Sequence, residues 1–119
     1  MGFPNSMQSS TSPVIVAGSF TETAVVQAGD GFSVAVSTGN FTVTLDRQYD
    51  GVISIVATMF NGGLAAGESG YAVVKSHAVT ADTDGGNFVI NFIDDAGNIQ
   101  TSFQSDIECH FIAVLSADT

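Results

Sequence analysis

The sequence predicts an all-β fold: an antiparallel β-sandwich, jelly-roll-like, of about eight or nine strands. Three observations predict it. Short runs rich in Val, Ile, Thr and Phe alternate with Gly, Asp and Asn breaks at a spacing of about 8–12 residues. Several runs alternate large apolar with small or polar residues, as half-buried pleated strands do. No window carries a 3.6-residue apolar period long enough for a helix.

The chain opens on MGFPNSMQSSTSP, residues 1–13, which holds no charged side chain and, besides Met1, only Phe3 and Met7 as large apolar side chains. Such a Ser-rich stretch builds no structure by itself. It reads either as a floppy leader or as an extended arm that orders against a neighbour, with the β domain occupying residues 14–119. The predicted strands are 14–17, 23–27, 32–36, 41–45, 52–60, 71–80, 88–93, 99–103 and 107–115. Between them, Asp30-Gly31, Asp50-Gly51, Asn61-Gly62 and Asp84-Gly85 tolerate positive φ and suit tight reversals.

Strand phase carries a further inference. In FSVAV and FTVTL only alternate residues are large and apolar (Phe32, Val34, Val36; Phe41, Val43, Leu45), so these strands have one wet face. VISIVATMF places Ile53, Ile55 and Met59 on one face and Val52, Val56 and Phe60 on the other. IECHFIAVL places Ile107, Cys109, Phe111 and Leu115 on one face, with Ile112 and Val114 opposite. A strand apolar on both faces is covered on both. Within one sandwich the second cover comes from a loop or another subunit, so Val52, Val56, Phe60, Ile112 and Val114 are the candidate oligomer interface.

Composition bounds the partners. The chain has 119 residues, 45% of them hydrophobic, which suits one domain and excludes a disordered chain. Twelve carboxylates against two cations, Arg47 and Lys75, give a formal net charge of −10. Nucleic acid and anionic membrane surfaces both require clustered Lys and Arg and are not expected partners. The scattered acidity reads as a solubility device. A single cysteine permits no intrachain disulfide, and neither a signal peptide nor an apolar run of membrane-spanning length is legible. Synthesis in a reducing cytoplasm is expected. The sequon at Asn40-Phe41-Thr42 then reads as a chance match.

Candidate chemistry is sparse. Cys109 and His110 are neighbours on a strand and point to opposite faces, so they form no thiol–imidazole pair, and Cys109 reads as core. Glu108 and His110 share a face but supply only two metal ligands. Residues 82–87 (DTDGGN) and 94–98 (DDAGN) are oxygen-rich, yet lack EF-hand spacing and read as turns. Gly67-Glu68-Ser69-Gly70 is one residue short of a nucleophile elbow. No catalytic residue, cofactor or metal is expected.

The runs GNFTVTL, GVISIVATMF and FVINFIDDAGN, with the closing CHFIAVLSADT, resemble the small jelly-roll modules of tailed-bacteriophage virions. The likeness covers residues 30–119, is one of style, and transfers no functional residue. It implies a non-enzymatic virion protein, trimeric, that decorates the capsid surface as a cement protein and stabilises it by bridging major capsid subunits. Phe3 and Met7 would then be capsid-attachment residues. The related alternative is a receptor-binding head of a tail fibre, recognising a host glycan or protein through exposed aromatics such as Tyr49.

Overall fold

The computed structural model describes residues 11–61, 71–80, 85–103 and 107–118. Eight strands run through them: β1 Thr11–Thr21, β2 Val26–Gly29, β3 Phe32–Ser37, β4 Asn40–Leu45, β5 Gly51–Asn61, β6 Tyr71–Ala78, β7 Asn87–Ile93 and β8 Ile107–Asp118. They form two four-stranded antiparallel sheets, β2-β1-β8-β5 and β3-β4-β7-β6, packed as a sandwich. β7 sits between β4 and β6 in the second sheet, and β8 between β1 and β5 in the first. The last two strands thus return into the middle of both sheets, while β1–β2, β3–β4 and β6–β7 are hairpins within a sheet, so the sandwich departs from the alternating strand order of a jelly roll.

The core follows from strict alternation. Ile107, Cys109, Phe111, Ala113 and Leu115 of β8 are all 2% exposed or less, and so are Phe41, Val43 and Leu45 of β4 and Phe88, Ile90 and Phe92 of β7. Aromatic rings join the two layers. Phe111 meets Phe32 edge-on at 4.9 Å and Phe88 at 5.4 Å between centroids. Phe41 stacks on Phe20 at 5.5 Å and leans on Phe92 at 5.0 Å. Each such pair contributes roughly 0.5–1.5 kcal/mol beyond its area burial. Tyr49, expected on an outer loop, is 5% exposed and belongs to this core, where the crossing from β4 to β5 carries it inward.

Turn chemistry sets the registers. β3 and β4 are joined by Thr38-Gly39, with φ of 49° and 79°, a two-residue reversal that needs left-handed backbone at both positions. The β1–β2 turn closes on Thr21: its Oγ1 accepts the N–H groups of Thr23 and Val25 at 3.3 and 3.2 Å. Gly18 is required by closeness. A Cβ there would lie 2.4 Å from the Phe32 ring and 2.6 Å from the Ala28 carbonyl oxygen.

Three elements differ from expectation. β1 begins at Thr11, and Thr11, Ser12 and Pro13 pair with Asp118, Ala117 and Ser116, so the boundary set at Pro13 falls inside a strand. The predicted strand 99–103 is reduced to one bridge, Ile93↔Ile99. The cause is local: β4 stops pairing with β7 at Ile90, which leaves the Phe92 carbonyl to accept from the Gln100 N–H at 2.8 Å. The ladder goes no further because Gly39 of the β3–β4 turn occupies that edge, where a Cβ would come within 2.7 Å of the Gln100 carbonyl. Third, β5 pairs Val52 with Leu115 and Ser54 with Val114, so Ile53 is an extra residue in a β-bulge.

Removing one of the central rings should be severe. Phe41→Ala is expected to lower unfolding free energy by about 3–5 kcal/mol in urea titration, the range for emptying a fully buried aromatic site. Gly18→Ala should lose about 1–3 kcal/mol through overpacking, although a methyl group is normally welcome in a strand.

Candidate functional site: the outer face of the first sheet

The inner faces of the two sheets are occupied by the core, which leaves the outer faces to meet a partner. On the first sheet, pairing across β1, β8 and β5 lays side chains in rows. Ile15, Val114 and Ser54 form one row, and Ala17, Ile112 and Val56 the next. Ser19, His110 and Thr58 follow, then Thr21, Glu108 and Phe60. The first two rows are apolar except for Ser54. Ile15 is 67% exposed, Val56 55%, Ile112 51% and Phe60 58%. Among the described residues of these four rows the ionisable side chains are Glu108 and His110, on a chain of net charge −10.

Small residues hollow this surface. Ala17 and Ser19 on β1 and Ala28 on β2 lie beside Val56, Thr58 and Ile112 around a groove of about 420 Å3. Its lining is mostly apolar, with the hydroxyl groups of Ser19 and Thr58 and the His110 ring as polar points. At its edge His110 Nε2 stands 3.3 Å from Glu108 Oε1, an ion pair when the imidazole is protonated. Both side chains are well exposed, so the pair adds little to stability.

The expected interface residues divide. Val56, Phe60 and Ile112 are exposed on this face, and Val114 lies there half-buried. Val52 does not: the bulge at Ile53 shifts the phase of β5, turning Val52 onto the core and sending Ile53 out at 58% exposure. Ile15 was not among the residues singled out, though the alternation of VIVA contained it. The small-residue run Ala17-Gly18-Ser19 inside an apolar strand was the legible trace of the groove. Phe3 and Met7 lie outside the described residues, as do 62–70 and 81–84, which hold the shortened elbow sequence and part of one oxygen-rich turn.

The remaining candidates stay dispersed. His77 is on β6 in the second sheet, away from the sheet that carries Cys109 and His110. Asp94 Oδ1 accepts the backbone N–H groups of Ala96 and Asn98 at 2.9 and 2.8 Å, a turn-closing use of the carboxylate. Among the described residues, no three His, Cys, Asp or Glu side chains converge on a point where a metal ion could sit. Cys109 has no exposure, and burial pushes its thiol up from 9.0 to about 12.

That burial has two measurable consequences. Native protein should label with thiol reagents far more slowly than unfolded protein, because the thiolate is the reactive form. The folded thiol keeps its proton up to about pH 12 while the unfolded one releases it near 9.0. Its contribution to stability is therefore full below pH 9 and is lost as pH rises toward 12. The stability of Cys109→Ala should fall less steeply across that window than that of the parent chain, read by urea denaturation at stepped pH.

Comparison of the chain with protein-family models, curated proteins and solved structures finds no match.

Proposed function

We propose that this chain is a non-enzymatic structural protein of a tailed-phage virion, which decorates the capsid as a homotrimer and stabilises it by bridging major capsid subunits. The observation that carries the reading is the outer face of the first sheet. Three large apolar side chains of adjacent strands, Ile15, Ile112 and Val56, stand in water in two neighbouring rows on a strongly acidic chain. Single exposed apolar residues are ordinary, whereas a contiguous group marks a surface that meets another protein. Fully burying each contributes about 1.5–3 kcal/mol, so a copy docked there gains more than scattered contacts would supply.

Bridging works by mass action. A protein that binds only the assembled lattice stabilises that lattice by about 2.7 kcal/mol at a concentration of 100 times its dissociation constant. In this reading the uncharged segment ahead of β1 provides attachment, with Phe3 and Met7 as its apolar contacts. It enters the domain at Thr11, where the sheet ladder with β8 begins. The alternative of a fibre receptor head called for exposed aromatics such as Tyr49; that side chain is buried, whereas Tyr71 is 53% exposed.

Immunogold microscopy of phage particles that carry this chain tests the assignment. Label is expected over the capsid surface; label confined to fibre tips supports the receptor head, and particles free of label overturn both. A truncation removing residues 2–10, which stops short of the Thr11↔Asp118 pair, should leave the melting temperature nearly unchanged while reducing occupancy on capsids. Undiminished occupancy would move attachment from the arm to the surface of the sandwich.

A further inference from the structure

An occupant that closes over a groove must satisfy every polar group it hides, and this limits what the groove on the first sheet can hold. Ser19, His110 and Thr58 form one row across β1, β8 and β5, and Ala17, Ile112 and Val56 form the next, roughly 7 Å along the strands. Ala28 lies opposite Ser19 on β2, so small side chains make the floor. Ser19 is 4% exposed, the most deeply set polar side chain of this face among the described residues. Its hydroxyl has no hydrogen-bond partner among them. The sealed polar side-chain atom without a partner is instead Gln100 Oε1, beside β7 in the other sheet, so the Ser19 oxygen opens onto the groove.

We propose that this groove is a binding site for a small uncharged molecule that combines an apolar ring with a hydroxyl group. The ring lies over Ala17, Val56 and Ile112, and the hydroxyl, which both donates and accepts, pairs with Ser19 on the floor. The inference goes beyond the structural role proposed above and does not depend on it.

The chemistry of the lining selects this class. A wholly apolar occupant would seal the Ser19 hydroxyl without a partner and forfeit its hydration outright. A peptide segment would bring a row of N–H and C=O groups onto a face whose own backbone groups are engaged in the β1–β8–β5 ladders. Only the side chains of Ser19, Thr58 and His110 would be there to meet them. Charge is disfavoured in both senses. The chain carries −10, which opposes an anion, and the carboxylate at this edge, Glu108, already stands 3.3 Å from His110. A volume of about 420 Å3 between strands held in register suits a small ligand and needs no rearrangement to form.

Toluene and p-cresol share a ring and a methyl group and differ by the hydroxyl, which makes them the probes. In amide-resolved NMR titrations of the full chain, p-cresol should give saturable shifts at Ala17, Ser19 and Ile112. It should bind about five- to tenfold more tightly than toluene, the margin of one hydrogen bond. Ser19→Ala should erase that margin by weakening p-cresol while toluene holds. Its melting temperature should stay at or above the parent's, because no hydrogen bond within the described protein is lost. Ala17→Leu, at an exposed position, should fold normally and lose both probes by filling the groove. Equal binding of the two probes by the parent, or a margin that survives in Ser19→Ala, overturns the role of the hydroxyl and with it the ligand class. A Ser19→Ala variant that melts well below the parent makes Ser19 a residue of the fold and overturns the site. Shifts scattered over the surface overturn it too. So do shifts at these amides on raising protein concentration alone, which would place a second copy in the groove.

Discussion

Strand β8 is the constraint on which the rest of this molecule depends. It pairs with β1 along the whole of β1, from Thr11↔Asp118 to Thr21↔Glu108, and with β5 from Gly51↔Ser116 to Asn61↔Ile107. Its inward row is fully buried, and one member, Phe111, touches rings on β1, β3 and β7. A strand held on both edges and packed against the opposite sheet cannot slip by one residue without sending its buried row into water. The registers of its neighbours are thereby set. The burial of Cys109 is a consequence of the same row rather than of thiol chemistry.

The two sheets treat their outer faces differently. Over β7, Asn91 is 1% exposed although its neighbours in the strand, Ile90 and Phe92, take the inward positions. Its Nδ2 donates to the Gly39 carbonyl and to Asn40 Oδ1, each at 2.9 Å. A buried amide satisfied twice ties the β3–β4 turn to the middle of the second sheet. The segment after β7 runs back along the edge of that strand and turns Phe103 inward, to 5.9 and 5.6 Å from the core rings of Phe41 and Phe92. On the outer face of the first sheet Ser19 is likewise buried, at 4% exposure, but Ile15, Val56 and Ile112 around it stand open. There the outward row of β8 is apolar at Ile112 and Val114 without any need of the core. Residues that the fold does not require to be apolar, on the face it leaves open, are the physical basis for reading that face as a contact surface.

Length, composition and alternation were enough to determine the class of fold. Period-two patterning over FTVTL and FVINFI is incompatible with a helix, and the Gly, Asn and Asp breaks left eight of nine predicted strands in place, most with ends moved by a few residues. The inward row of β8, from Ile107 to Leu115, was legible because a paired strand has only two faces. The same rule identified Val56, Phe60 and Ile112 as the surplus apolar residues. Their types and spacing carried that information without reference to any partner strand.

Tertiary structure alone decided what depends on neighbours. The bulge that exchanges Val52 for Ile53 arises from fitting β5 against β8, and no residue within VISIVATMF announces it. Ile99–Phe103 has the composition of a strand, but a strand exists only where an edge is free to pair, and Gly39 closes that edge after two residues. Ala17, Ser19 and Ala28 become the floor of a groove only because β1, β2 and β8 are adjacent in space. Alternation is a property of one strand and survives in its sequence. Pairing, bulging and hollowing are properties of two or more strands, and their free energy belongs to contacts between residues far apart along the chain.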